Sequence, residues 1–321
     1  MAHAGLERLL SQQHIPTDSG MGRPLQDLLR TNELLKGVES QRLRTHFSSC
    51  GLEPSTDLDE FGRKVLQGDL EGLKAMYADK LAHYGELASD DVAARAAATK
   101  EIYAKRWGPT RVPVYNLILL CFLVVNPGAR KEHFAIARWL IHDVKVPVDG
   151  TDLSGSTALH HAITTKPAFE PEYAQVLYDA GGDVNHRSRY GGTPAHEQVM
   201  TWDPRNKEVV RRAADALKWF LDHGGNIDVN DTDGKAVRAM VDNTRRLAGA
   251  GFRMPTWRVV DDEDRRRKRL LGTICLFCGR APAGQATLLT CGACKTAKYC
   301  AAACQRGDWP HHKIRCKKVA K

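Results

Sequence analysis

The chain has 321 residues, 42 % of them hydrophobic and 26 % charged, a composition that fits soluble globular protein and a length that fits two or three domains. Its formal net charge of +9 sits at one end: residues 1–260 hold 33 Lys/Arg against 33 Asp/Glu, whereas residues 275–321 hold nine Lys/Arg against Asp308 alone. There is no run of about 18 apolar residues to form a membrane span, residues 1–10 lack a leader pattern, and Cys50 and Cys121 stand alone, so the expected setting is reducing and intracellular, cytoplasmic or nuclear, with no membrane partner.

Residues 1–55 carry leucine clusters at Leu25, Leu28 and Leu29 and at Leu34 and Leu35, broken by glycine and proline, which predicts either short helices or a loosely attached, poorly defined arm. Ser89-Asp-Asp ahead of an alanine-rich run to Trp107 predicts a capped helix, because these side chains accept from the free N–H groups of a first turn. Val112-Pro-Val-Tyr-Asn with the apolar residues 117–125, followed by Phe134-Ala-Ile-Ala-Arg-Trp-Leu-Ile141, reads as a helix pair. The apolar stretch is too short to cross a bilayer and suits an inner helix covered by its neighbours.

Internal repetition sets the architecture of the larger part. Asp149-Gly-Thr-Asp-Leu-Ser-Gly155-Ser-Thr157-Ala-Leu-His160-His-Ala162 aligns with Asn185-His-Arg-Ser-Arg-Tyr-Gly191-Gly-Thr193-Pro-Ala-His196, and more weakly with Asp228-Val-Asn-Asp-Thr-Asp-Gly234-Lys-Ala. Each copy places a glycine where a turn needs positive φ and a threonine where a helix needs a cap. Pro194 sits at a first helical turn, where its missing N–H is harmless. The helices between copies close on Gly181-Gly182 and Gly224-Gly225.

These copies resemble ankyrin repeats. The resemblance implies two antiparallel helices per unit, stacked into an array that binds proteins, and it makes residues 65–76 look like the outer helix of a degenerate unit. The spacings of 36 and 43 residues between the turn glycines exceed the usual period of about 33, so extra residues are expected between the paired helices, near 164–171 and 201–207. The third copy has lost the Thr-Pro-Leu-His element and is expected to be a partial or capping unit. By the same resemblance His160 and His196 hydrogen-bond within their turns and do not form a catalytic pair. His196-Glu197 also lacks the second histidine of a zinc-protease helix.

Asp261-Asp-Glu-Asp264 directly precedes Arg265-Arg-Arg-Lys-Arg269, blocks of opposite charge that predict a solvated linker helix across residues 251–274. A nuclear import signal is the other reading of 265–269. Beyond it lie Cys275, Cys278, Cys291, Cys294, Cys300, Cys304, His312 and Cys316, eight ligands in the order C-x2-C-x12-C-x2-C-x5-C-x3-C-x7-H-x3-C. Thiolate and imidazole select zinc, and eight of them make two closed four-ligand sites with no position left for a reacting water. Such metal is a scaffold, and without it so short a segment is expected to be unfolded. Spacing alone leaves the pairing of ligands open. Seven thiolates and two zinc ions lower the +8 of this segment to about +5.

The run Cys294-Lys-Thr-Ala-Lys-Tyr-Cys300-Ala-Ala-Ala-Cys304-Gln-Arg-Gly-Asp-Trp-Pro-His-His312-Lys-Ile-Arg-Cys316 resembles a MYND-type zinc finger. The resemblance implies interleaved ligands, with Cys275, Cys278, Cys300 and Cys304 on one ion and Cys291, Cys294, His312 and Cys316 on the other. It favours His312 over His311, which stands beside it. It also implies a surface for proline-containing peptides flanked by Gln305 and Trp309, although Trp309 packing the small core is an equal reading.

The expected fold is therefore mostly α: an arm at 1–55, degenerate ankyrin-like repeats with an inserted helix at 56–250, a charged linker at 251–274, a two-zinc finger at 275–316 and a basic tail at 317–321. The expected function is a non-enzymatic adaptor between proteins. No phosphate loop, nucleophile elbow or kinase signature is present, the helical repeats occupy the place a SET methyltransferase domain would need, and H-x3-C is not the ending of a RING ligase. The alternative is a transcriptional regulator that reaches nucleic acid through its basic zinc domain, a role set against it by the adjacent acidic block and by a spacing unlike that of groove-binding fingers.

Overall fold

Helices make up most of the described chain, several of them with side-chain caps at the start and a glycine at the end. The computed structural model describes residues 22–164, 169–200, 203–249, 251–282, 284 and 286–316. Residues 1–21 of the expected arm, parts of both inter-helix insertions (165–168 and 201–202) and the basic tail 317–321 lie outside the described residues. Those described fall into two compact units divided between Tyr190 and Gly191. Among them no helix is long and apolar enough to cross a membrane.

In the first unit, α1 (Leu25–Leu28) and α2 (Gly37–Ser49) are short, packed helices, which decides between the two expectations for this segment against a loosely attached arm. Leu28, Leu35 and Leu43 are buried with Leu153 and Tyr190. Arg189 ties the segment down through the carbonyls of Leu28 (2.9 Å) and Leu153 (3.2 Å), and its own carbonyl accepts from the Leu35 amide at 2.7 Å. The leucines looked unanchored because their partners lie more than a hundred residues away.

After a short helix α3 (Pro54–Asp57), α4 (Glu60–Gln67) and α5 (Leu70–Leu87) form an antiparallel pair. Residues 65–76 thus span two helices and not one. Gly68, at φ 73°, ends the first, and the Asp69 carboxylate caps the second by accepting from the Gly72 amide at 2.8 Å. The inserted helix α6 (Asp91–Ala104) forms as expected, capped by Asp90, and buries Ala94, Ala98 and Ile102. Helix α7 (Val114–Val124) is buried on almost every side, with Phe122 against Phe134 of α8 (Arg130–His142) at 5.0 Å and edge-on to Tyr173 at 5.1 Å. Then come α9 (Ala158–Ala162) and α10 (Pro171–Asp179). Thr157 caps α9 by accepting from the His160 amide. Gly155 is needed here: its φ is 75°, and a Cβ would stand 2.9 Å from the Arg189 backbone nitrogen.

The second unit opens with α11 (Pro194–Val199) and α12 (Lys207–Asp222). Thr193 and His196 form a reciprocal cap, and the other His196 ring nitrogen lies 3.1 Å from the Lys235 carbonyl of the next turn. The histidine is thus a structural strut. The third copy is a full pair, α13 (Val237–Ala248) and α14 (Pro255–Arg269), which corrects both the partial unit and the solvated linker expected over 251–274. Although α14 reads as almost all charge, Trp257, Val260 and Glu263 recur every three residues and are buried, and the helix packs against α12.

Burying Glu263, only 5 % exposed, is tolerated because cations surround it. Its carboxylate accepts from Arg266 at 2.7 and 2.9 Å and from Arg267 at 2.6 Å. Arg267 also donates to Asp228 at 2.6 Å, and Asp228 accepts from Arg238 at 2.9 Å. Desolvation acts to raise both carboxyls, and the facing guanidinium groups outweigh it, leaving each below its usual range. Replacing Glu263 by Ala removes one of the two carboxylates that meet Arg267 and should destabilise the second unit by roughly 1.5–3 kcal/mol in urea unfolding. Because both folded-state pKa values are depressed, this contribution is present above the unfolded values of about 4 and is lost as pH falls below them. The acid limb of the stability curve should therefore flatten in Glu263→Gln.

Candidate metal centre

Two tight turns and one helix bring the soft ligands together. The first knuckle closes with the Gly279 amide on the Cys275 carbonyl (2.9 Å), Gly279 taking φ 72°. The second closes with the Lys295 amide on the Cys291 carbonyl (3.0 Å), Lys295 taking φ 58°. A two-residue hairpin, β1 (Leu289–Thr290) and β2 (Lys298–Tyr299), pairs Leu289 with Tyr299 and delivers Cys300 beside the first knuckle. Helix α15 (Ala302–Arg315) then carries Cys304 and His312, with Cys316 at its end.

The ligands gather as Cys275, Cys278, Cys300 and Cys304, and as Cys291, Cys294, His312 and Cys316, with the donor atoms of each group within 4.8 Å of one another. This is the interleaved arrangement. Separations are 3.6 Å for Cys278–Cys300, 3.4 Å for Cys300–Cys304, 3.9 Å for Cys291–Cys316 and 3.6 Å from Cys294 to His312 Nε2. A tetrahedron with Zn–S bonds of about 2.3 Å has edges of about 3.8 Å, so each group can hold one zinc ion. Cys50 and Cys121 belong to neither group; Cys121 is buried among apolar residues and Cys50 is half-buried beside His46.

The electrostatics suit a dication. Hydrogen bonding from Cys275 holds the Cys278 thiol down to about 4, while that donation and burial push Cys275 well up. In the other group the Thr296 hydroxyl, 3.2 Å from Cys294, lowers that thiol to about 6, and burial lifts Cys316 to about 11. Burial would lower His312, but its hydrogen bonds to Cys291 and Cys294 outweigh that and raise it. In each group one thiol is thus held down while another is pushed up. Zinc removes the conflict, since coordinated thiols lose their protons.

Four protein ligands per ion make each site structural. The small apolar core under them consists of Tyr299 and Ala297 with Leu276, Phe277, Leu288 and Ala293. Tyr299 is fully buried and donates to Asp308 at 2.7 Å, a bond the sequence reading missed although Asp308 is the only acid among nine bases. Trp309 is 46 % exposed and outside this core, its ring 6.0 Å from that of His312, and Gln305 lies half-buried one turn earlier on α15. Helix α14 holds the first knuckle directly: Arg266 donates to the Gly279 carbonyl at 2.9 Å and Arg267 to the Phe277 carbonyl at 3.1 Å.

Residues 275–316 match the MYND finger family. Among curated proteins, the histone-lysine N-methyltransferase SMYD3 of Homo sapiens is 45 % identical over 42 residues, 13 % of this chain and 10 % of that protein. The N-lysine methyltransferase SMYD2-B of Xenopus laevis is 35 % identical over 86 residues, 27 % of this chain and 18 % of that one. The chain thus spans under a fifth of the length of these relatives. Among solved structures, an ankyrin repeat domain from Acinetobacter baumannii AYE aligns with TM-score 0.29 and 17 % identity over 59 % of this chain and 95 % of its own. The ankyrin repeat domain of Bcl-3 aligns with TM-score 0.31 and 14 % identity over 64 % and 98 %. The C-terminal segment is a MYND finger with two clusters that could hold two zinc ions, and paired helices precede it.

Native mass spectrometry should find two zinc ions per chain. Interleaving makes a sharper demand: Cys278→Ser combined with Cys300→Ser should leave one ion, whereas Cys278→Ser combined with Cys294→Ser should leave none. Retention of one ion in both would refute the pairing.

Proposed function

We propose that the protein is a non-catalytic adaptor whose repeats engage one protein while the finger engages a proline-containing segment of another. The observation that carries this reading is Trp309, a large aromatic side chain left nearly half exposed on a helix held by zinc ligands on either side of it. Exposed tryptophan on a rigid support is characteristic of binding surfaces, because the ring contributes large contact area with little entropy to lose. Gln305, one turn away, supplies an amide to meet a peptide backbone. The activity in the names of the methyltransferase relatives belongs to proteins that this chain matches over a minor part of their length, so it is not carried over.

The nucleic-acid alternative loses ground in the charged helix. Arg266 and Arg267 are committed to Glu263, Asp228 and knuckle carbonyls, and Arg265 to Asp262, which leaves little of the basic run for phosphates. Trp309→Ala should weaken capture of a fluorescent proline-rich peptide about ten-fold or more while zinc content stays at two per chain. Unchanged capture would remove Trp309 from the binding surface and return it to a packing role.

A further inference from the structure

A cleft of about 950 Å³ opens between the end of α13 and the start of α14. Met254 and Trp257, both buried, form its floor, and Arg245, Arg246, Arg253, Arg258 and one carboxylate, Asp261, stand around it. The four guanidinium groups are unequally occupied. Arg245 donates to the Trp257 carbonyl at 2.7 Å and to Asp261 at 2.8 Å, so its charge is answered within the fold. Arg246 meets only a neutral acceptor, Asn243, at 3.0 Å, and Arg253 donates to the carbonyl of its neighbour Phe252 at 2.8 Å. Arg258, 85 % exposed, lies 4.0 Å from Asp262, a carboxylate already engaged by Arg265. Three cationic forks thus face one cleft with little negative charge to meet them.

One further feature lies there. Helix α14 begins at the cleft with no side-chain cap and no acid in its first turn, so the partial positive charge of its N-terminus meets no carboxylate of that turn, while the Trp257 amide is satisfied by the Met254 carbonyl at 3.1 Å.

We propose that this cleft binds a phosphorylated side chain of a partner protein. A phosphate monoester presents nearly two charges and three strong acceptors in a small volume, which matches converging guanidinium forks and an open helix N-terminus better than scattered carboxylates do. The apolar floor takes the residue next to the phosphate. A nucleic-acid strand fits less well. Asp262 and Asp264 lie further along the same helix, where a continuing phosphodiester chain would meet carboxylates, and Trp257 is too deeply buried to stack on a base.

The test uses the full-length, zinc-loaded protein immobilised on resin. The probes are a pool of seven-residue peptides with central phosphoserine and degenerate flanks, the same pool without phosphate, and a single-stranded oligonucleotide. The phosphorylated pool should be retained about ten-fold more strongly than its twin, and R253E/R258E should remove the difference. Both arginines are exposed, so this variant should keep its two zinc ions and its circular dichroism. A second variant, R246E, should lose part of the preference. Trp309→Ala should retain it in full, which separates this site from the finger. Equal retention of both peptide pools, retention insensitive to the charge reversals, or an oligonucleotide that binds more tightly than the phosphorylated pool through the same arginines would each overturn the proposal.

Discussion

Sulfur atoms as close as 3.4 Å cannot all carry charge unless a cation stands among them, and seven of the eight finger ligands are sulfurs. That constraint orders the rest of the C-terminal segment. Among the described residues its apolar core has two buried residues other than ligands, Tyr299 and Ala297, far too little to offset the entropy of fixing the chain. Metal coordination supplies the missing free energy, on the order of 10 kcal/mol or more per structural zinc site in small fingers. The position of Trp309 follows from it, because α15 is held by Cys304 at one end and by His312 and Cys316 at the other.

Charged hydrogen bonds join the finger to the repeat before it. Glu263 enters the interior of the second unit only with Arg266 and Arg267, and these two arginines reach the carbonyls of the first knuckle. An ion network of this kind adds little net stability compared with an apolar interface of equal size, but it fixes geometry, since a shifted helix would leave charges buried and unpaired. Order in the knuckle and placement of α14 are accordingly expected to depend on one another. The fit is close elsewhere too, for a Cβ on Gly224 would stand 2.8 Å from the Arg280 side chain.

Much of this was legible in the sequence, and for identifiable reasons. Cysteine spacing revealed the number of ligands, and the interleaved pairing came from family resemblance, since spacing is silent on which knuckle meets which helix. Thr157, Thr193 and the turn glycines marked helix starts because capping is local chemistry. What failed was long-range or masked by composition. Arg189 anchoring the leucines near residue 28 cannot be inferred from neighbours in sequence. Helix α14 sets Trp257 and Val260 just ahead of nine consecutive charged residues and Glu263 among them, so composition alone makes its packed face look solvated. Gly68 was taken as an interior residue when Asp69 behind it was already the cap of a second helix.

Hydrogen–deuterium exchange of the full chain, with zinc bound and after chelation, tests the central claim most directly. If metal organises the finger and the arginine clasp transmits that order, chelation should abolish protection across 275–316 and lower it in the last two turns of α14, leaving residues 22–190 unchanged. A finger that stays protected without metal, or an α14 indifferent to its removal, would contradict the account.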